Sequence, residues 1–266
     1  VTAPVHDQRT ILVRRPSSRL AEGEVTHIDR EPVDVDLAME QWSAYVDTFR
    51  THGWTVIELD SLDDHPDGVF VKDDIVMYGG LAVIARPGAE SRRGEIDGLA
   101  ERMSEMGYRV AAIEAPGTLD GGDVMKVGST VHVGLGGRTN GAGIDQLRAL
   151  LAPLGAEVLA VPTTLVLHLK SAVTALPGGT IVGYEPVVDD TSVFDPFLAV
   201  PEEPGAHVVD LGDDRLLMTA RTDATADLLR ARGYDVVVSD IGEFEKLEGC
   251  VTCLSVRLRT APPDVG

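Results

Sequence analysis

The stretch GEIDGLAERMSEMGYRV (94–110) decides the fold, because its pattern recurs along the chain. Apolar residues fall at three- and four-residue spacing over 94–106, as on one face of a helix. Gly107 suits the left-handed residue that closes such a helix, and Val110 opens a β-branched strand three residues later. The same step from glycine to valine stands at Gly53–Val56, Gly155–Val158, Gly205–Val208 and Gly233–Val236. Helical patterns precede three of these, in LAMEQWSAYVDTFRTH (37–52), AGIDQLRALLAPL (142–154) and DATADLLRAR (223–232). Gly205 is the exception: Pro201 and Pro204 predict a helix that is short or absent. Hairpin-like strand pairs precede the helices, as in VFVKDDIVMYGGLAVIARP (69–87) and DVMKVGSTVHVGL (123–135), and VTCLSVRLR (251–259) reads as a final strand. Five units of strand, strand, helix, strand predict a closed, quasi-symmetric α/β arrangement. A doubly wound sheet is disfavoured, since no G-x-G-x-x-G sits at a strand-to-helix turn. The bland alternative is a generic α/β domain whose helix caps look alike.

Composition bounds the function. The 266 residues are 44% hydrophobic and 25% charged, ordinary for a soluble globular protein of one large domain or two small ones. A net charge of −20 repels nucleic acid and anionic membranes, so neither is an expected partner, and a cationic small molecule suits the field. Acidity also serves solubility alone. Cys250 and Cys253 are too few for a disulfide framework and spell C-x-x-C. A structural zinc site normally takes four protein ligands, and no second ligand pair is present. A redox pair usually opens a helix, whereas VTCLSVRLR alternates like a strand. No run of ~18 apolar residues predicts a membrane-spanning helix. VTAPVHDQRTILVRRP (1–16) lacks a signal-peptide apolar region, so a cytoplasmic location is expected.

The chemistry lies in four separated segments: DGVFVKD (67–73), LDGGD (119–123), LHLKS (167–171) and GCVTCLS (249–255). Singly each is ordinary. D-G-G-D reads as a turn, HPDG as an acidic surface turn, LVLHLK as a strand with a core histidine, and a cysteine on an apolar strand as structural. Together, and in this order, they resemble the dimethylarginine dimethylaminohydrolases of the guanidino-group-modifying superfamily. Gly249, Thr252, Cys253 and Ser255 fill that family's G-x-x-(T/S)-C-x-S segment, which selects Cys253 over Cys250. Lys170 stands where arginine deiminases carry Asp, which argues against a plain arginine deiminase.

The resemblance covers nearly the whole chain. It implies a single catalytic domain over 1–266 with the pentein fold, a five-bladed α/β propeller of ββαβ repeats with pseudo-fivefold symmetry and the site in a central pit. It implies Cys253 as nucleophile, His168 as general acid/base and Asp120 as the carboxylate that orients His168. Asp73 is expected to pair with the substrate guanidinium and Asp67 with its α-amino end. Arg92 and Arg138 are expected to hold the α-carboxylate. Leu247 is expected to shape the pocket, and Val25, in the lid-like SSRLAEGEVTH (17–27), to offer a carbonyl to the substrate amine. The implied reaction is hydrolysis of N-methylated arginine to citrulline and an amine through a covalent S-alkylthiouronium, with no metal and no cofactor. A homodimer stays open. Alternatives are a deiminase or amidinotransferase acting on another guanidine, a non-catalytic pentein, and a redox protein using Cys250 and Cys253. One departure stands out: Lys72 replaces an acidic neighbour of Asp73. Strand alternation predicts that Lys72 points away from the pocket, toward solvent or Asp74.

Overall fold

Gly53, Gly107, Gly155 and Gly233 adopt φ of 80°, 85°, 78° and 93°, the left-handed conformation that glycine tolerates without a Cβ clash. Each closes a helical segment, and a strand begins two residues later. The structure, a computed structural model, describes residues 9–258. Strand β1 (Thr10–Arg14) runs to α1 (Val35–Thr51) and β2 (Thr55–Leu59). The second unit is β3 (Ile75–Tyr78), β4 (Leu81–Ile84), α2 (Leu99–Glu105) and β5 (Arg109–Ala112). The third is β6 (Val124–Val127), β7 (Thr130–Gly136), α3 (Gly141–Leu151) and β8 (Glu157–Thr163). After the one-turn α4 (Leu169–Ala172), the fourth is β9 (Val173–Ala175), β10 (Ile181–Gly183) and β11 (Phe197–Ala199). The fifth is β12 (Val209–Gly212), β13 (Arg215–Thr219), α5 (Asp223–Arg230) and β14 (Asp235–Ser239). Then α6 (Gly242–Glu245) leads to β15 (Val256–Arg257), which returns to pair antiparallel with β1.

Among the described residues every sheet has three strands, one neighbour of the middle strand antiparallel and the other parallel. The parallel step needs a crossover, which the helix supplies. The fourth unit makes it with short 3₁₀ turns instead, but Pro201 and Pro204, expected to shorten its helix, lie beyond β11 and outside this crossover. The sequence match at Gly205 is misplaced, however. The unit's third strand is β11, and Gly205 lies in a 3₁₀ turn before β12, the first strand of the next unit. Gly205 is needed for space, because a Cβ there would stand 2.2 Å from the Thr225 hydroxyl.

The sheets share their cores pairwise. Leu12 packs with Ile75, Val83 with Val131, Met125 with Val173, and Val182 with Leu216. Ile11 packs with Leu211 and Leu217, which returns the series to its start. A chain of shared cores that returns to its start is a ring, so the fold is a five-bladed α/β propeller. Among the described residues no helix is long and apolar enough to cross a membrane.

Three expected strands are shorter than the pattern suggests or absent. Val69 ends a 3₁₀ turn, residues 71–74 are turns, and β3 begins only at Ile75. Residues 251–254 are turns and bends, leaving Val256–Arg257 as the last strand; residue 259 lies outside the described residues. His168 caps α4 rather than sitting in a strand. These segments bond to one another instead of to sheet neighbours: Lys72 N–H donates to the Cys253 carbonyl at 3.2 Å, and Gly121 N–H to the Asp73 carbonyl at 2.8 Å.

Candidate active site

The loops that leave the ladders meet at the centre of the ring. Asp67, Asp73, Arg92, Arg138, His168, Leu247 and Cys253 line one small pit, joined by Glu24, Phe70, Leu167, Glu248 and Gly249. Asp120 is fully buried behind it, and its carboxylate takes the N–H of Gly88 at 2.8 Å.

His168 is held by two carboxylates. Its Nε2 lies 3.0 Å from Asp120 Oδ2, and its Nδ1 lies 3.9 Å from Asp73 Oδ1. Burial disfavours the imidazolium, but Asp73, the hydrogen bond to Asp120, and Asp123 outweigh it and raise the pKa to about 9. Burial also opposes ionisation of Asp73, yet His168, Arg92 and Lys72 hold its pKa down to about 2. Asp123 takes the Leu169 N–H and the Thr139 hydroxyl, fixing the turn that presents His168. Gly122 is required for this approach: a Cβ there would stand 2.5 Å from Asp73 Oδ1 and 2.7 Å from His168 Nδ1.

Cys253 is 8% exposed and touches Cys250, Sγ to Sγ 3.1 Å. The hydrogen bond from Cys253 pulls the Cys250 pKa down to about 7 against burial, helped by Thr252. As donor, Cys253 is pushed well up by that bond, by burial, and by the charges of Cys250 and Asp73, with Lys170 acting the other way. Two thiolates this close repel, so the pair gives up one proton readily and the second with difficulty. A cation brought against Cys253 favours its thiolate.

The pit is closed. Asp67 accepts the Glu24 N–H at 3.0 Å, and Glu24 reaches Arg138 at 3.2 Å and the Ser91 hydroxyl. Glu248 accepts the Thr26 N–H at 2.9 Å and also the His27 N–H. This lid leaves a cavity of only about 20 Å³. Val25 packs against the core around α1, and Glu24 rather than Val25 faces the pit. Arg92 is occupied by Asp73 at 2.8 Å and Glu95 at 2.8 Å. Among the residues that line the pit, Asp73 Oδ1 and Arg138 Nη1 are buried polar atoms with no hydrogen-bond partner.

Lys72 points away from the pit, the expected direction, but from a turn rather than a strand, and it does not pair with Asp74. Its ammonium donates to the Gly121 carbonyl at 2.6 Å, while Asp74 is sealed against Arg14 at 2.7 Å. Glu24, Glu95, Glu248 and Cys250 are site residues that sequence reasoning left unassigned. Glu24 and Cys250 lie inside stretches already singled out, but nothing local marks their contacts. Asp73, Asp120 and His168 each offer a ligand atom within 4.8 Å of the others, a geometry that could hold a metal ion, with Arg92 on the second oxygen of Asp73.

A family model, "N,N dimethylarginine dimethylhydrolase, eukaryotic", matches residues 27–172. A dimethylarginine dimethylaminohydrolase of Streptomyces coelicolor is 61% identical over 93% of this chain and 96% of its own. The chain belongs to the dimethylarginine dimethylaminohydrolase family. A Pseudomonas aeruginosa member is 33% identical over 93% of this chain and 98% of its own. A crystal structure of that family in Pseudomonas aeruginosa, a cysteine-to-serine mutant complexed with citrulline, superposes with a TM-score of 0.87 at 32% identity, covering 94% of this chain and 99% of that one. The N-terminal domain of a cyanobacterial arginine dihydrolase superposes at 0.81 with 21% identity, covering 94% and 98%, which establishes the shared pentein fold.

Proposed function

We propose that the chain hydrolyses N-methylated L-arginine, as mono- or asymmetric dimethylarginine, to L-citrulline and methylamine or dimethylamine. The observation that carries this is the pair of unsatisfied atoms. Asp73 Oδ1 is a buried acceptor and Arg138 Nη1 a buried donor, in one closed pit with Cys253 and His168. A molecule with a guanidinium at one end and a carboxylate at the other supplies what both lack.

Asp73 orients the guanidinium plane. The substrate cation stabilises the Cys253 thiolate, which the Cys250 contact and burial otherwise oppose. The thiolate forms a bond to the central guanidinium carbon. His168, protonated below about pH 9, gives its proton to the methylated nitrogen, and the C–N bond breaks. Neutral His168 then takes a proton from water. The hydroxide adds to the S-alkylthiouronium carbon, and collapse expels the thiolate and leaves citrulline. Asp120 fixes the imidazole and stabilises its charged form, a positioning role. Asp67, Arg138 and Leu247 set the substrate's reach, and Arg92 joins them once it exchanges a carboxylate partner. The lid must open to admit substrate, which breaks the Glu24–Arg138 contact.

The test is incubation of purified protein with mono- and dimethylarginine, arginine and agmatine, with citrulline and released amine measured. Citrulline from methylarginines above that from arginine is the expected result. Turnover of arginine or agmatine alone would move the chain to deiminase chemistry.

A further inference from the structure

Cys250 is not used by the reaction proposed above, yet its sulfur is aimed at the reacting one. The Cys253 N–H donates to the Cys250 carbonyl at 2.9 Å, so residues 250–253 form a turn. Such a turn holds its end Cα atoms within ~7 Å, inside the limit for bridging two cysteines. The sulfurs stand 3.1 Å apart, about 1 Å short of a bond. Both are free thiols. Cys253 is in the lining of the pit and Cys250 is not, its sulfur lying against the Thr252 hydroxyl at 3.1 Å. Behind the pit, on the other side of its floor, Lys72 and Lys170 line a chamber of about 90 Å³ with Thr252 and Ser255. The charge of Lys170 favours the thiolate of both cysteines. A readily ionised sulfur, a second sulfur in contact with it and an approach through the pit are the parts of a redox-sensing pair.

We propose that Cys250 is the resolving thiol of Cys253: a peroxide that enters the pit converts the two into an intramolecular disulfide, which blocks Cys253 reversibly. The effect on turnover rests on Cys253 being the nucleophile; formation of the bond does not. The lid movement that admits a substrate also admits a peroxide. The Cys253 thiolate attacks one peroxide oxygen, the S–O bond forms, the O–O bond breaks, and hydroxide leaves to become water. The Cys250 thiolate then attacks the sulfenyl sulfur of Cys253. The S–S bond forms, the S–O bond breaks, and a second hydroxide leaves to become water. Two thiols lose two electrons and two protons, and hydrogen peroxide becomes two waters. A dithiol reverses the change by attacking the Cys253 sulfur from the pit, passing through a mixed disulfide, and leaving as its own cyclic disulfide. Capture by Cys250 also keeps the sulfenic acid from advancing to sulfinic acid, which a thiol cannot reduce.

The experiment treats the reduced full chain, freed of reductant, with hydrogen peroxide and quenches it with iodoacetamide. Trypsin cuts after Lys246 and Arg257, so one peptide carries both cysteines. That peptide is expected to lose two hydrogens and to take up no iodoacetamide. Turnover of dimethylarginine falls at least ~10-fold, since the thiolate is the nucleophile, and dithiothreitol restores most of it. In Cys250→Ser the same treatment carries Cys253 to sulfinic acid, and dithiothreitol does not restore the variant to its own reduced rate. Cys250→Ala takes its place if the serine variant does not fold. The proposal falls if the wild-type peptide keeps two alkylatable thiols, if it gains oxygen instead of losing hydrogen, if the bond joins two chains, or if the Cys250 variants recover as fully as wild type. A chain that forms the bond but never turned over methylarginine sinks the functional reading and leaves the disulfide standing. An active enzyme with both thiols free after peroxide sinks the disulfide alone.

Discussion

Asp73 and Lys72 are neighbours in the chain, yet they face opposite chambers. Asp73 looks into the pit with His168, Arg92 and Cys253; Lys72 looks into the chamber behind it with Lys126, Lys170 and Arg257. The division repeats in every contributing segment. Cys253 faces the pit, while Thr252 and Ser255 face the chamber. His168 faces the pit, and Lys170 the chamber. A Cβ on Gly122 would strike Asp73, whereas one on Gly121 would strike the backbone of Lys72. A floor one backbone thick therefore separates a pit lined by carboxylates under a lid from a hollow lined by lysines. The two still feel each other: Lys72 helps hold Asp73 ionised, and Lys170 favours the Cys253 thiolate.

The sharpest way to break this comparison is at Cys253, the proposed nucleophile. Cys253→Ser is expected to abolish turnover, while Cys250→Ser keeps most of it. Mass spectrometry of acid-quenched enzyme should place the substrate-derived adduct on Cys253. An adduct on Cys250 would reassign the chemistry.

Next in size is His168. Its replacement by Ala is expected to cost on the order of 10²–10⁴-fold in kcat. Asp120→Asn removes an anion that holds the imidazole pKa near 9, so that pKa falls toward its ordinary value. The acid form needed for amine departure is then lost at lower pH, and the alkaline limb of the kcat profile moves acidward. An unmoved limb would mean that another group supplies the proton.

Gly122→Ala tests how tightly the floor is built. The new methyl drives Asp73 and His168 apart, and an ångström of misplacement costs ~10²-fold in rate. Circular dichroism and rate measured on the same sample separate this loss from unfolding.

Lys72→Glu asks whether the two sides are distinct. With its side chain in the rear chamber, the change is expected to alter kcat/KM for dimethylarginine by less than ~10-fold. A gain of a hundredfold or more would show that Lys72 reaches the substrate. The smallest effect is at the lid. Glu24→Gln removes a half-exposed partner of Arg138, a contact of the ~0.2–1 kcal/mol class. KM should fall by no more than ~5-fold, and a rise would make Glu24 a substrate ligand.

The repeat and the helix-closing glycines were legible because they are local: a left-handed residue after an amphipathic run has few uses. Cys253, His168 and Asp120 were legible through the company they keep. The segments that carry them were read as strands since alternation is visible in one dimension, while the bonds that make them turns are not. Lys72 to Cys253 and Gly121 to Asp73 join residues far apart in sequence. The misread at Gly205 has a related cause, as its glycine answers to crowding by Thr225 rather than to a helix end. Glu24 on Arg138 and Cys250 on Cys253 are likewise contacts of tertiary origin.

The pairing of β15 with β1 bears on how the molecule comes into being during synthesis. Ile11 waits for Arg257, so the ring cannot shut until the segment around Arg257 has left the ribosome. Contacts of such separation carry a loop-closure cost that slows folding. The loop bearing Cys253 arrives in that same final step. A nascent chain already holding Asp73, Asp120 and His168 therefore lacks a thiol, and Cys253 meets these neighbours only when the last blade locks.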